Sequence, residues 1–385
     1  MNTCIFTHFE MEEKRLAFDA IVSFEGIVPK TGKHIKYEEQ IFPFSAEFSE
    51  PLVYDNLDII QMLECYIKQA KLSALFDEIH IDLPKDGKTY DFSKGINYLF
   101  FNSYGIDSYS IYLTFNDDLK EKLIEFSWTS EQNYSYLQSM INRCSHYRPP
   151  VVICFKKMLE SVDLLWNPCN STYLKYLLYK KFHIKLSLYG DVAYSYLQPY
   201  NIKSIQQLNF AFYQTELISL YITMILGDRK LVNSMLFDNG DSKIIRKTAY
   251  LKILTDHFGI KFEDYVDLNR LKVFKEKIKN KTFDYYFSQE SSHPSMLVTN
   301  IYFYKEEFIK ALIELFYNTE KSDVEQKFQE FFAEHKGGHT SYNGNYFTIS
   351  ATTFKQYIDE LPEECKELYT IMYTKYKLLH LLGNV

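Results

Sequence analysis

Glycine and proline are scarce in this sequence of 385 residues, which contains 13 Gly and 10 Pro. Both counts are about half of ordinary usage, so glycine-rich turns that cradle phosphates are expected to be few. No Gly-x-Gly-x-x-Gly occurs. The segment from Gly26 to His34 has five residues between its glycines, whereas a P-loop has four, and His34 follows its lysine where a P-loop has Ser or Thr. Neither kind of nucleotide site is predicted.

Cysteine pairs and long apolar runs are also missing. The six cysteines show no Cys-x-x-Cys and no regular spacing, which is typical of reduced thiols in a cytoplasmic protein. The N-terminus has no basic region followed by an apolar stretch, so no signal peptide is predicted. The longest apolar stretch, 208–226, contains Asn209, Gln214 and Glu216 and predicts an amphipathic helix. We therefore expect a cytoplasmic protein without a membrane-spanning segment.

The charge is unevenly distributed along the chain. The formal net charge is −7, which argues against a surface that coats nucleic acid or anionic membrane as a whole. Residues 1–150 carry 14 Lys or Arg and 23 Asp or Glu, whereas residues 151–385 carry 29 and 27. This asymmetry predicts two domains, an acidic domain over 1–150 and a second domain over 151–385, with Arg148-Pro149-Pro150 at the boundary.

Hydrophobic periodicity predicts an α+β fold. Alternation around a turn at Pro29–Lys33 predicts a β-hairpin from Ala17 to Phe44, and a 3.6-residue period predicts a helix over Asn56–Leu75. We expect further strands at 78–82 and 108–115 and a helix over 119–126. From about residue 157 the pattern is mainly helical, with segments that include 205–226, 242–258 and 267–283. The short run 151–155 fits a strand of either domain.

Three groups of side chains could bind a metal. Glu78, His80 and Asp82 alternate along a predicted strand and so share a face, but alternation is also typical of a solvated strand face. His335 and His339 flank Gly337-Gly338, which is expected to end a helix and separate them. Cys144 and His146 have no further ligands nearby in the sequence. No metal site and no cofactor are predicted.

Basic residues outnumber acidic ones between Ser242 and Lys281. Lys272, Lys275, Lys279 and Arg246 are candidates for one basic surface, and three aromatic residues follow at 285–287. Cations that neutralise phosphates beside rings that stack on bases are typical of RNA and single-strand sites. Solvated helix faces carry the same pattern, so nucleic-acid binding is one of two interpretations of this segment.

The string Asp284 to Ser295, with sequence DYYFSQESSHPS, resembles a segment of HEPN-like helical domains in bacterial abortive-infection and toxin-type proteins. The resemblance covers about 12 residues, or 205–320 if the neighbouring helices belong to the same bundle. It implies a helical core and a role in antiviral defence. HEPN ribonucleases depend on Arg and His separated by four to six residues on one helix. No arginine of this chain has a histidine at that spacing, so ribonuclease activity would need a different pairing.

These observations favour a non-enzymatic interaction or regulatory protein that contacts a protein partner or RNA. Two alternatives stay open. The first is a non-standard ribonuclease in which Arg246, Tyr286, Ser288 and His293 are the candidate catalytic residues. The second is an inhibitor or adaptor that binds a basic partner through the acidic first domain. The 33 Tyr and 31 Phe residues fit all three hypotheses, because aromatic side chains bury large areas in cores and interfaces.

Overall fold

The fold is α+β, as the sequence predicts. The computed structural model describes residues 1–29, 31–159, 162–165, 172–189, 207–209, 216–237, 240–281, 285, 305–317, 323–327, 329–330 and 359. Nine strands are present in these ranges: β1 Thr3–Glu12, β2 Arg15–Ile27, β3 His34–Phe48, β4 Glu78–Ile81, β5 Asn97–Phe101, β6 Leu123–Ser130, β7 Val151–Lys157, β8 Ile184–Tyr189 and β9 Gln207–Asn209.

The strands form one mixed sheet in the order β4-β1-β2-β3-β7-β6-β5-β8-β9. Strands β1, β2 and β3 pair antiparallel, and β4 runs parallel to β1 at one edge. Strands β5, β6 and β7 are mutually parallel, and β7 pairs antiparallel with the end of β3. We call β4-β1-β2-β3 the antiparallel half of the sheet and β7-β6-β5 the parallel half.

An aromatic row runs across one face of six strands and accounts for part of the aromatic content. Neighbouring ring centroids lie between 4.5 and 6.4 Å apart. The row consists of Phe6, Phe18, Phe44, Phe155, Trp128 and Phe101. Helix α1 packs on this face, since the ring of Tyr66 lies 6.2 Å from that of Phe6. We call this side of the sheet the aromatic face, and it holds a large part of the core.

Ten α-helices are described from end to end: α1 Asn56–Gln69, α2 Ile106–Thr114, α3 Asp117–Glu121, α4 Tyr134–Arg143, α5 Tyr179–Phe182, α6 Glu216–Leu226, α7 Arg229–Phe237, α8 Asp241–Phe258, α9 Leu268–Ile278 and α10 Lys305–Leu315. The predicted helix over Asn56–Leu75 is confirmed as α1, which starts with Asp55 in a capping box and gives way to a 3-10 turn at Leu72–Ala74. No described helix has the length and apolar content needed to cross a membrane.

The chain divides into two compact units. Among the described residues, the first contains 1–103, 117–188 and Gln207, and the second contains 104–116, Tyr189 and those from 208 onwards. This division differs from the expected boundary at residue 150, because 151–157 forms β7 within the sheet and α2 groups with the later helices. In the second unit α8 is buried on nearly all sides and packs against α6, α7 and α10.

Two predicted elements are wrong. The segment 108–115 is not a strand, because 106–114 forms helix α2, whose side chains are buried on several sides. A run of small and apolar residues that is buried all round has no clear period, so its pattern does not separate a helix from a strand. The predicted helix over 119–126 is only the short α3, after which Leu123 begins the buried strand β6. Strand β8 was not predicted.

Candidate functional site

Three of the four candidate catalytic residues, Tyr286, Ser288 and His293, lie outside the described residues. The fourth, Arg246, is in the middle of α8 and is only 2% exposed. Its guanidinium belongs to the interior of the second unit. A catalytic role for Arg246 together with His293 stays a prediction.

Of the predicted nucleic-acid-binding lysines, Lys272 and Lys275 lie on helix α9 and Lys279 directly follows its last residue. Leu271, Phe274 and Ile278 are buried and hold α9 on its unit. Each of these residues is followed by one of the predicted lysines, so Lys272, Lys275 and Lys279 lie along one side of the helix. Lys272 and Lys279 are exposed and Lys275 is half-buried. The structure therefore brings the three lysines together on a surface, and it places Arg246 in the core instead.

The buried cluster around His146 is a second polar arrangement, which lies in the first unit. Nδ2 of Asn102 donates to Oε2 of Glu125 at 2.8 Å, and Nδ1 of His146 lies 3.1 Å from Oε1 of the same carboxylate. Nε2 of His146 lies 2.8 Å from the carbonyl oxygen of Ile141 at the end of α4. Burial alone would lower the pKa of His146, but the Glu125 carboxylate and this carbonyl raise the pKa above its usual value.

Both ring nitrogens of His146 therefore face acceptors. A carbonyl oxygen only accepts, so Nε2 donates to Ile141, while Nδ1 lies within hydrogen-bond distance of the Glu125 carboxyl group. The raised pKa of His146 favours the charged form of the ring. Both ring nitrogens are engaged within the fold, so in this arrangement neither is open to a substrate or a metal ion. We assign the cluster to the stability of the α4–β7 connection.

The predicted grouping of Glu78, His80 and Asp82 lies at the β4 edge of the sheet. Nε2 of His80 is 3.4 Å from Oε2 of Glu78, and Oδ2 of Asp82 accepts a hydrogen bond from Thr7 at 3.0 Å. In the described part of the chain no three His, Cys, Asp or Glu residues are arranged to hold a metal ion. These side chains belong instead to a larger surface.

That surface is the side of the antiparallel half opposite the aromatic face. The strand register aligns His80 of β4 with Ile5, Ile5 with Ile21, and Ile21 with Ile41 of β3. Three isoleucines thus form a row across β1, β2 and β3, with His80 at one end. Ile5 and Ile21 are half-buried and Ile41 is 48% exposed. We call this surface the open face and its three isoleucines the isoleucine row.

Carboxylates surround the isoleucine row. The same side of the four strands and their ends carries seven acidic side chains, which are Glu10, Glu12, Asp19, Glu25, Glu47, Glu78 and Asp82. Cations are fewer: Arg15 lies 2.7 Å from Glu10, Lys36 lies 3.8 Å from Glu25, and Lys156 of β7 lies 3.5 Å from Glu47. The open face therefore combines apolar side chains with an excess of negative charge.

The edge of β3 next to the open face is poorly suited to strand addition. Strand β3 pairs with β7 only from Ser45 to Phe48, so 34–44 extends beyond that pairing. Within this extension Glu39 has a φ of 50° at a register shift, and Pro43 lacks an N–H donor. Bulges and prolines are the usual means by which exposed edges avoid pairing with other strands. A partner is therefore expected to contact the face of the sheet and not this edge.

The sequence predicts the hairpin and the acidity of this region, but the isoleucine row was missed. Its signal is present, since Ile21 and Ile41 lie on the two arms of the predicted hairpin. Comparison of the whole chain with protein-family models, with curated proteins and with solved structures finds no match.

Proposed function

We propose that this protein is a non-enzymatic interaction protein that binds a basic partner protein through its open face. The isoleucine row within a rim of carboxylates is the observation that carries this proposal. Apolar side chains that stay exposed beside a polar rim are typical of protein-binding surfaces. An excess of carboxylates selects partners with Lys and Arg at the matching positions, because opposite charges attract across an interface.

The other polar arrangements support binding more than catalysis. The two ring nitrogens of His146 are held by Glu125 and by the Ile141 carbonyl, so this histidine offers no open position to a substrate. Arg246 lies in the interior of its unit. The ribonuclease hypothesis therefore depends on His293 and its neighbours and stays a prediction. The HEPN-like resemblance, a role in antiviral defence and a cytoplasmic location also stay predictions.

The two components of the open face predict a defined dependence on salt. Attraction between exposed charges is screened over about 10 Å at 0.1 M salt, so the carboxylates contribute mostly to the association rate at low salt. The contribution of the isoleucine row persists when salt is raised. Binding is expected to weaken with added salt without being abolished.

A labelled peptide tests the proposal directly. The probe is a synthetic amphipathic helix of two heptads with Leu at the apolar positions and Lys elsewhere, and fluorescence anisotropy measures its binding. The substitution Ile41→Lys places a cation in the isoleucine row and is expected to weaken binding tenfold or more. The matched control is Val53→Lys, because Val53 is an apolar residue that is 73% exposed and lies outside the row.

The control separates the open face from the overall charge of the protein, because both substitutions add one lysine. Equal loss of affinity in the two variants, or no binding of the probe by the unmodified protein, contradicts the proposal. A second peptide with Glu in place of Lys is expected to show no binding. Equal affinity for the two peptides would rule out a role for the carboxylates.

A further inference from the structure

We infer that helix α9 of a second copy of this chain is a partner of the open face. This inference rests on the proposed function, because it names an occupant for the same surface. It starts from the exposed side of α9, on which lysines and apolar residues occur together. The sequence places a basic amphipathic helix, the kind of partner that the open face selects, within the same polypeptide.

The composition of the exposed side of α9 follows from helical geometry. At 100° per residue, Leu268, Lys272 and Lys279 fall within about 40° of one another, and Val273 lies about 100° beyond Lys272. Leu268 is 51% exposed and Val273 is 71% exposed, although both residues are apolar. We call the exposed side formed by Leu268, Lys272, Val273, Lys275 and Lys279 the lysine face.

The lysines of this face have few partners of their own. Lys279 lies 3.3 Å from Glu276, but both side chains are about two-thirds exposed, so this pair contributes little. No ion pair joins Lys272 or Lys275 to another of the described residues. These cations are therefore available to carboxylates of another molecule.

The lysine face and the open face match in chemistry and in scale. Neighbouring strands lie about 4.8 Å apart, so the isoleucine row spans roughly 10 Å from Ile5 to Ile41. Leu268 and Val273 are separated by about 7.5 Å along the helix axis. Around the helix, Leu268 and the three lysines point in similar directions, whereas Val273 lies about 140° from Leu268. A helix laid on the open face can therefore place Leu268 over the isoleucines and its lysines over the carboxylates, with Val273 at the margin of the contact.

The contact would join two different surfaces of two molecules. Each copy carries one open face and one lysine face, so association is head to tail and can continue beyond two copies unless a ring closes. One helix of 11 residues on four strands gives a contact at the small end of known interfaces, below about 1,200 Å² in total. Interfaces of this size are weak, so association is expected to increase with protein concentration.

Charge reversal on either surface tests the inference by sedimentation velocity. The face variant is Glu25→Lys with Glu78→Lys, and the helix variant is Lys272→Glu with Lys275→Glu. Each variant alone is expected to stay monomeric at concentrations at which the unmodified chain associates. A mixture of the two is expected to associate again, because the helix variant keeps the acidic open face and the face variant keeps the lysine face that binds it. Glu64→Lys on the exposed side of α1 is the control and is expected to associate normally.

The outcomes distinguish this inference from the proposed function. If the unmodified chain stays monomeric at all concentrations while the Leu/Lys peptide binds the open face, the inference is overturned and the proposed function stands. If the mixed variants fail to associate, the lysine face is not the occupant. An oligouridine that binds the unmodified chain but not the helix variant, with self-association unchanged in that variant, would assign the lysine face to RNA and overturn the inference.

Discussion

The two faces of the antiparallel half use the same strands for different purposes. Phe18 and Phe44 stack at 4.5 Å on the aromatic face, which α1 covers. Ile21 and Ile41 lie a few residues away on the same two strands, but they point to the open face. Alternation along a strand sends neighbouring residues to opposite sides of a sheet. One hairpin therefore supplies both a buried core and an exposed surface, and hydrophobicity alone does not distinguish the two.

The side that is open on the antiparallel half is buried on the parallel half. The register continues this side from Glu47 of β3 to Cys154 of β7 and Thr129 of β6. On β6, Ser127 and Glu125 point to the same side as Thr129, and all three side chains are buried although they are polar. His146, which follows α4, covers Glu125. The presence or absence of a covering segment thus decides whether this side of the sheet is core or surface.

The largest expected difference between the two faces is in stability. The substitution Phe18→Ala removes a buried ring from the aromatic row and is expected to lower the free energy of unfolding by about 4 kcal/mol. The substitution Ile21→Ala, three residues along the same strand, removes a half-buried side chain and is expected to cost about 1 kcal/mol. Urea unfolding followed by circular dichroism measures both values.

This pair of variants is matched, because both change a residue of β2 to alanine and alter strand propensity in a similar way. Equal losses would mean that the open face is covered in solution, and the distinction between core and surface in this hairpin would fail. A loss for Ile21→Ala that grows with protein concentration would instead indicate self-association through the open face.

The second expected effect concerns His146 on the parallel half and depends on pH. The substitution His146→Gln leaves the buried Glu125 without its cation and is expected to cost about 3 kcal/mol near pH 6. Because the folded protein raises the pKa of His146, the pair stabilises the fold fully below the unfolded value of about 6.5. This contribution is lost as pH rises through the folded pKa.

The difference in stability between the two proteins should therefore shrink from pH 6 to pH 9, as measured by urea unfolding at several pH values. The control is His8→Gln, since His8 also faces a carboxylate, Asp19 at 3.1 Å, but its side chain is 65% exposed. Little change is expected for this control at any pH. A pH-independent loss for His146→Gln would show that packing, and not the charge pair, explains its effect.

Local patterns in the sequence predict much of the antiparallel half. The period-2 pattern on both sides of the turn at Pro29–Lys33 identifies the hairpin, and the 3.6-residue period after Asp55 identifies α1. The parallel half was harder to predict. Strand β6 does alternate, but its polar residues Glu125, Ser127 and Thr129 are buried, whereas alternation alone is typical of a solvated strand face. Strand β7 begins with a continuous apolar run that carries no period. The same ambiguity makes α2 resemble a strand.

The candidate site depends on contacts that no local pattern contains. Ile5, Ile21 and Ile41 are far apart in sequence, and only the register of three strands aligns them. The charge pair of His146 likewise joins residues 21 positions apart. In contrast, the lysines of α9 could be predicted as a group, because one helix places them on one side. The sequence also predicts Arg246 as part of this group, but Arg246 is buried inside its unit.

The smallest expected effect on stability is at Ile41, on the open face. The substitution Ile41→Thr keeps a β-branched side chain in the strand and is expected to change the free energy of unfolding by less than about 0.5 kcal/mol, since Ile41 is largely solvated. The same substitution is expected to weaken binding of the Leu/Lys peptide, because it removes apolar surface from the isoleucine row. Unfolding and anisotropy measurements on one preparation test both effects. A variant that is less stable but binds the peptide with unchanged affinity would place Ile41 in the core. Unchanged stability with weaker binding, the expected result, would show that Ile41 contributes to partner binding and not to the stability of the sheet.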